Sequence, residues 1–250
     1  MTPRLTTGGP PVFSLDEIAL FLDFDGTLVE LAPQPEAVIV PPDLPPLLQR
    51  LHDRMSGAVA TISGRPIAEI DVFLAPAKLP ASGAHGAELR ETADAEIKVV
   101  GAHLTDPLRA QIQAIVATLQ ARWPGLRTED KGTSFAVHYR HAPEAESDLR
   151  AALQALHFGN GWQLLSGHRV FEVKARGWSK GSAIRQMMES AAFKSRRPIC
   201  IGDDRTDLDG IAAARTLGGE GIAVGGLDAD VAWRLADPGA VRAWLRRLVD

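Results

Sequence analysis

The sequence predicts an α/β fold: a doubly wound parallel sheet interrupted by a smaller α+β unit. Three observations predict it. Strand-like apolar runs alternate with helical runs at both ends of the chain, which is the pattern of a parallel sheet. Several of these apolar runs end abruptly in polar residues, as strands do where their carboxyl ends carry functional groups. In the middle of the chain the alternation gives way to helices and hairpin-like strands, a pattern typical of an α+β unit. A chain of 250 residues, 45% hydrophobic and 23% charged, can bury a core of that size.

The elements follow in order. Residues 1–17 read as a loose leader, punctuated by Thr6-Thr7-Gly8-Gly9-Pro10-Pro11. The first strand is expected at 18–23, because Ala19-Leu20-Phe21-Leu22 is wholly apolar. A helix is expected at 41–55, with Leu44, Leu47, Leu48 and Leu51 spaced for one face. A buried strand at 58–62 ends at Ser63-Gly64-Arg65-Pro66, and Pro66 suits the first turn of a following helix. Short strands are expected within 87–100 around a turn at 92–95. A long amphipathic helix is expected at 104–123, where Leu108, Ile112, Ile115, Val116 and Leu119 share a face. Strands near 126–129 and 134–139, a helix near 143–156, and strands near 163–165 and 169–173 follow. From Ser179 the first pattern resumes: a helix to about 191, a strand at 198–201, a helix after Thr206, a strand at 221–224 and a final helix at 241–249. The simplest division is a core of residues 1–102 and 171–250 with an inserted unit at 103–170.

Composition excludes several functions. A net charge of −4 gives no nucleic-acid footprint. Cys200 is the only cysteine, so no disulfide forms within the chain, and it reads as a small buried strand residue. No basic-then-apolar leader and no apolar run of about 18 residues is present, so no secretion signal or membrane span is expected. A cytoplasmic protein fits.

Four places carry the chemistry. They are Asp23-Phe24-Asp25-Gly26-Thr27, Ser63, Lys180 within Trp178-Ser179-Lys180-Gly181, and Gly202-Asp203-Asp204-Arg205-Thr206-Asp207. Residues i and i+2 of a strand share a side, so Asp23 and Asp25 are expected to converge. Two like charges held together call for a cation, a shared proton, or both. Alone, Asp203 or Ser63 reads as a cap or turn former and Lys180 as a surface lysine. Together they supply two acidic clusters, a hydroxyl and a cation at strand ends and helix starts. That inventory matches magnesium-assisted phosphoryl transfer. The seven histidines show no zinc-site spacing. His85 and His138 are the two to watch, with a structural or hydrogen-bonding role as the default.

These motifs resemble the four motifs of the haloacid dehalogenase superfamily of phosphatases, and the insertion resembles its C2 type of cap. Within the superfamily, the chain is most similar to the trehalose 6-phosphate phosphatase family. The segments that carry this are Ser63-Gly64-Arg65, Gly83-Ala84-His85-Gly86-Ala87-Glu88, Glu129-Asp130-Lys131-Gly132, Ser134-Phe135-Ala136-Val137-His138-Tyr139-Arg140, Glu172-Val173-Lys174 and Trp178-Ser179-Lys180-Gly181. The resemblance implies a Rossmann-like core and magnesium-dependent hydrolysis of a sugar phosphate through an aspartyl-phosphate. It implies that Asp23 is nucleophile and metal ligand. Asp25 is implied as general acid–base, with its main-chain carbonyl on Mg2+. Ser63 and Lys180 would hold phosphoryl oxygens. Asp203 would ligate the metal, with Asp204 or Asp207 behind it. Glu129, Lys131 and Glu172 would grip sugar hydroxyls, with Thr27, Arg65 and Arg140 also at the substrate.

Two positions depart from the family's pattern. Leu208 stands where the family usually has an acidic residue, with Asp209 next, and Ala175 stands where it often has proline. The core motifs alone do not separate trehalose 6-phosphate from sucrose or mannosylglycerate phosphate. A catalytically silent binding module is a further alternative, which the complete set of catalytic groups argues against. A monomer without nucleic-acid or membrane partners is expected, supplied by a separate synthase.

Overall fold

Ile18–Leu22 forms β1 at the centre of an eight-stranded sheet, and every one of its residues is buried. The structure, a computed structural model, describes residues 9–250 except 157, 160 and 168. Residues 1–8 of the expected leader lie outside the described residues. The rest of that leader is docked rather than loose: the Trp244 indole donates to the Pro11 carbonyl at 3.0 Å, and Phe13 meets the Trp244 ring edge-on.

The chain divides into two compact units. One runs up to Val100 and resumes over Trp178–Asp250; the other is Gly101–Gly177. The expected return to the core at 171 falls inside a strand of the second unit, Val170–Ala175, so that unit extends to Gly177.

In the first unit, β2 (Val59–Ile62) and β3 (Ala81–Gly83) lie on one side of β1. On the other side lie β10 (Arg197–Gly202), β11 (Glu220–Val224) and β12 (Trp233–Leu235). All of these pair in parallel. Beyond β3, the short strands β4 (Glu88–Arg90) and β5 (Lys98–Val99) pair antiparallel and finish the edge. The direction of winding reverses at β1/β10, so ligand-binding groups collect where the strand order switches. Helix α1 (Leu44–Arg54) packs with α7 (Pro238–Val249), and α5 (Lys180–Met187) packs with α6 (Asp207–Thr216). The remaining helix of this unit, α2, spans Ile67–Leu74 and follows Pro66, which stands just before its first turn. Right-handed crossovers in opposite directions place α1 and α6 on opposite faces, the doubly wound arrangement. The apolar runs of β1, β2, β10 and β11 are buried with Leu47, Leu48, Leu51, Ile184 and Trp244 in one core.

Sequence reading did not foresee β3 or β12. β3 is Ala-Ser-Gly, three residues with no β-branched or aromatic side chain; β12 is a short edge strand.

The second unit has its own core. A four-stranded antiparallel sheet runs in the order β6 (Arg127–Asp130), β7 (Ser134–His138), β9 (Val170–Ala175) and β8 (Trp162–Gly167). Phe135 and Val137 of β7 and Phe171 and Val173 of β9 join Leu108, Ile112 and Val116 of α3 (Asp106–Gln120). Leu149 and Leu153 of α4 (Glu146–Gln154) complete that core. Strand alternation sends Ser134, Ala136 and His138 to the opposite face. Among the described residues no helix is long and apolar enough to cross a membrane.

Candidate active site

The site grows from the carboxyl edge of β1. β1 pairs Leu22 with Ile201 of β10 and with Thr61 of β2. Carried forward, that register brings Asp23, Ser63 and Asp203 to one edge. The Asp23 amide still donates to Ile201 at 3.0 Å, which fixes the backbone under the carboxylate.

Lys180 is the centre of the cluster. Its Nζ donates to Asp23 Oδ1 at 2.6 Å and to Asp207 Oδ1 at 2.6 Å. All three side chains are at least 93% buried, so these are charges removed from water and retained by pairing. Lys180 reaches the site because it opens α5, where Ser179 and Ser182 form a reciprocal capping box. Asp209 Oδ2 accepts from the Gly181 amide at 3.1 Å and anchors that helix start from α6.

Asp207 opens α6 and does two things. Its Oδ1 meets Lys180, while its Oδ2 accepts from the amides of Asp203 and Asp204, both at 3.1 Å. It therefore shapes the loop after β10. Asp203 in turn accepts from the buried Thr27 hydroxyl at 2.9 Å. Gly26 is required between them: its φ is +83°, and a Cβ there would sit 2.2 Å from Asp203 Oδ2.

Ligand oxygens of Asp23, Asp203 and Asp207 all lie within 4.8 Å of one another. An all-oxygen, mostly buried carboxylate set suits a hard divalent cation such as magnesium. Its crowded, buried charge shifts the carboxyls. Burial, with Asp203 and Asp204 close by, pushes Asp23 up to about 7 against the pull of Lys180. Burial and the neighbouring carboxylates raise Asp203 to about 6 and Asp207 to about 8. Burial alone would lower Lys180, but Asp207, Asp23 and Asp204 hold it well above the usual lysine value.

The strand alternation expected to bring Asp25 beside Asp23 stops short of both residues. β1 ends at Leu22, and the chain turns at Gly26. The Asp25 carboxylate is instead gripped on both oxygens by Arg65, at 2.6 and 2.8 Å. Arg65 also donates to Glu69 and to the Pro35 carbonyl, and its guanidinium lies 5.0 Å from the Phe73 ring centroid. Ser63 is buried at the end of β2, and its Oγ accepts from the Arg65 amide at 3.1 Å. Asp204 is exposed, with its carboxylate on Thr206, and it acts on Asp23, Lys180 and Asp207 through its charge. His85 follows β3 in a run of positive φ with Ala84 and Gly86, at the end where Ser63 stands. Its ring sits where any side chain on Gly64 would go. Cys200 is buried inside β10, where burial pushes its thiol up, as a structural cysteine requires.

In the second unit, Glu129, Lys131 and Glu172 come together. Pairing sets Glu129 beside Ala136 and Ala136 beside Glu172, so both carboxylates share the face away from the helices. Lys131 Nζ lies 3.8 Å from each. Ser134 donates to Glu172, and His138 Nε2 lies 3.0 Å from Glu129 Oε2. Arg140 lies exposed in the turn beyond β7, outside this row. Sequence reading missed the roles of Ser134 and Asp209; strand parity points to the first, and nothing in the local sequence marks the second.

The fold and the carboxylate–lysine edge define a hydrolase fold of the haloacid dehalogenase type. A haloacid dehalogenase-like hydrolase from B. subtilis superposes with a TM-score of 0.64 at 16% identity, covering 93% of this chain and 99% of its own. The C-terminal domain of C. albicans trehalose-6-phosphate phosphatase superposes with a TM-score of 0.82 at 19% identity, covering 94% and 93%. The sequence model of the trehalose-phosphatase family matches residues 21–228, and the chain belongs to that family. It is 39% identical over 231 residues to the trehalose-6-phosphate phosphatase of Escherichia coli (strain K12), spanning 92% of this chain and 86% of that one.

Proposed function

We propose that this protein hydrolyses trehalose 6-phosphate to trehalose and phosphate through an aspartyl-phosphate on Asp23. The observation that carries the reading is Lys180 bridging Asp23 and Asp207 beside Asp203 at the sheet's carboxyl edge. A phosphate dianion approaches a carboxylate only where cations offset the repulsion. Lys180 supplies one fixed positive charge there. Magnesium, held by Asp23 and Asp203 with Asp207 and the Asp25 main-chain carbonyl, would supply the rest of that neutralisation. Asp204, on Thr206, stays behind the ligand set.

Asp23 attacks phosphorus, and the sugar oxygen departs. Ser63 and Lys180 hold the phosphoryl oxygens during transfer. Asp25 gives a proton to the leaving oxygen and then takes one from the water that attacks the aspartyl-phosphate. Asp25 must first leave Arg65, which holds both of its oxygens. Thr27 orders Asp203, and Arg65, once released, is placed to meet the substrate. The second unit acts as the cap: Glu129, Lys131 and Glu172, with Arg140 at the rim, bind the disaccharide's hydroxyls. Carboxylates suit this because each accepts several hydroxyl donors. The enzyme works as a cytoplasmic monomer, and a separate synthase supplies its substrate.

The test is acid quench of the enzyme with phosphoryl-labelled trehalose 6-phosphate. Acid-stable, hydroxylamine-labile label is expected on the wild type and absent from Asp23→Asn. Label on Asp23→Asn would place the nucleophile elsewhere.

A further inference from the structure

His138 faces the sugar-binding row without belonging to it, and the structure gives it a partner. β6 and β7 pair Arg127 with His138 and Glu129 with Ala136, so Glu129 and His138 are diagonal neighbours on one face. His138 Nε2 is 3.0 Å from Glu129 Oε2. A carboxylate only accepts, so the ring nitrogen carries the hydrogen. Lys131 Nζ approaches the same oxygen, at 3.8 Å. Both partners of Glu129 thus lie on Oε2, and Oε1 has no hydrogen-bond partner among the described residues. Glu129 and His138 are each about one-third exposed, so the pair stands at the surface of the sheet face.

We propose that His138 is the positioning residue of the cap. It ties down one carboxylate oxygen of Glu129 so that the other is presented, in one orientation, to a sugar hydroxyl. A glutamate on a sheet surface otherwise samples many rotamers, and each binding event would have to order it. His138 removes that ordering before substrate arrives. The hydrogen bond also stabilises the ionised carboxylate, which keeps Glu129 an acceptor. The proposal rests on the reading that Glu129 binds the sugar.

The experiment compares kcat and KM for trehalose 6-phosphate and for a small aryl phosphate in four variants. They are His138→Phe, His138→Gln, Glu129→Ala and the double variant His138→Phe/Glu129→Ala. His138→Phe is expected to lower the ratio of kcat/KM on the sugar phosphate to that on the aryl phosphate about tenfold, the scale of one hydrogen bond to a charged group. The change should appear in KM. His138→Gln, which places an N–H donor at a similar reach, should recover most of the ratio. In the Glu129→Ala background, His138→Phe should change nothing further, because its effect acts through Glu129. An unchanged ratio in His138→Phe, or full additivity in the double variant, overturns the positioning role. A Glu129→Ala variant with equal losses on both substrates overturns the sugar-binding reading itself, and the proposal with it.

Discussion

At the scale of single residues, the site depends on a few atoms that have no freedom to move. Gly26 leaves space that the Asp203 carboxylate fills, at a φ that L side chains rarely adopt. Gly26→Ala is therefore expected to destabilise the fold by about 1–3 kcal/mol and to expel Asp203 from its place. Thermal unfolding and a magnesium titration of the variant check this, and wild-type metal affinity would contradict it. Asp25→Asn is expected to abolish turnover while the fold is kept, because the amide cannot pass a proton; full turnover would remove Asp25 from the acid–base role. The residue types of this site were legible in the sequence because carboxylates, a lysine and a serine ended strands or opened helices. Their partners were not. Arg65 and Thr27 read as substrate residues, and the structure adds the partners that each holds: Asp25 for Arg65 and Asp203 for Thr27. Such pairings span 40 and 176 positions of sequence, and no local pattern encodes them.

At the scale of elements, helix starts carry Lys180 and Asp207 into the site, and each start is secured. The Ser179–Ser182 capping box sets α5, and Asp209 ties α5 to α6 through the Gly181 amide. Asp209 stands one place beyond the acidic position usual in the family, and the structure gives it this anchoring contact. Asp209→Ala is expected to destabilise by about 1 kcal/mol and to lower kcat more than it raises KM. Kinetics and denaturant unfolding check the pair of effects; an unchanged kcat would mean that the capping box alone places Lys180. Elements with strong periodicity, such as β1, α1 and α3, were legible because burial on one face imposes a repeat. β3 and β12 were not, since three residues carry no period. The end of the inserted unit was misplaced for a related reason: β9 reads like any buried strand, and only its antiparallel pairing with β7 and β8 assigns it.

At the scale of the whole molecule, the carboxylate cluster links stability to pH and metal. Asp23, Asp203 and Asp207 ordinarily titrate near 3.8, but here they reach about 7, 6 and 8. Between about pH 4 and pH 8 these three groups therefore hold more protons in the folded protein than in the unfolded chain. Their contribution to metal-free stability falls as pH rises through that window. A divalent metal binds the deprotonated cluster, so its stabilisation grows over the same range. Calorimetry in chelator and in magnesium, at about pH 6 and about pH 8, should show a larger metal-induced rise in Tm at the higher pH. A constant or shrinking rise would mean that the cluster does not hold the metal. The central claim is tested most directly by phosphate release from a panel of sugar phosphates, with and without magnesium, including trehalose 6-phosphate and sucrose 6-phosphate. Magnesium-dependent release, strongly preferring trehalose 6-phosphate, is the predicted result. Equal or greater turnover of another sugar phosphate, or release indifferent to magnesium, would contradict it.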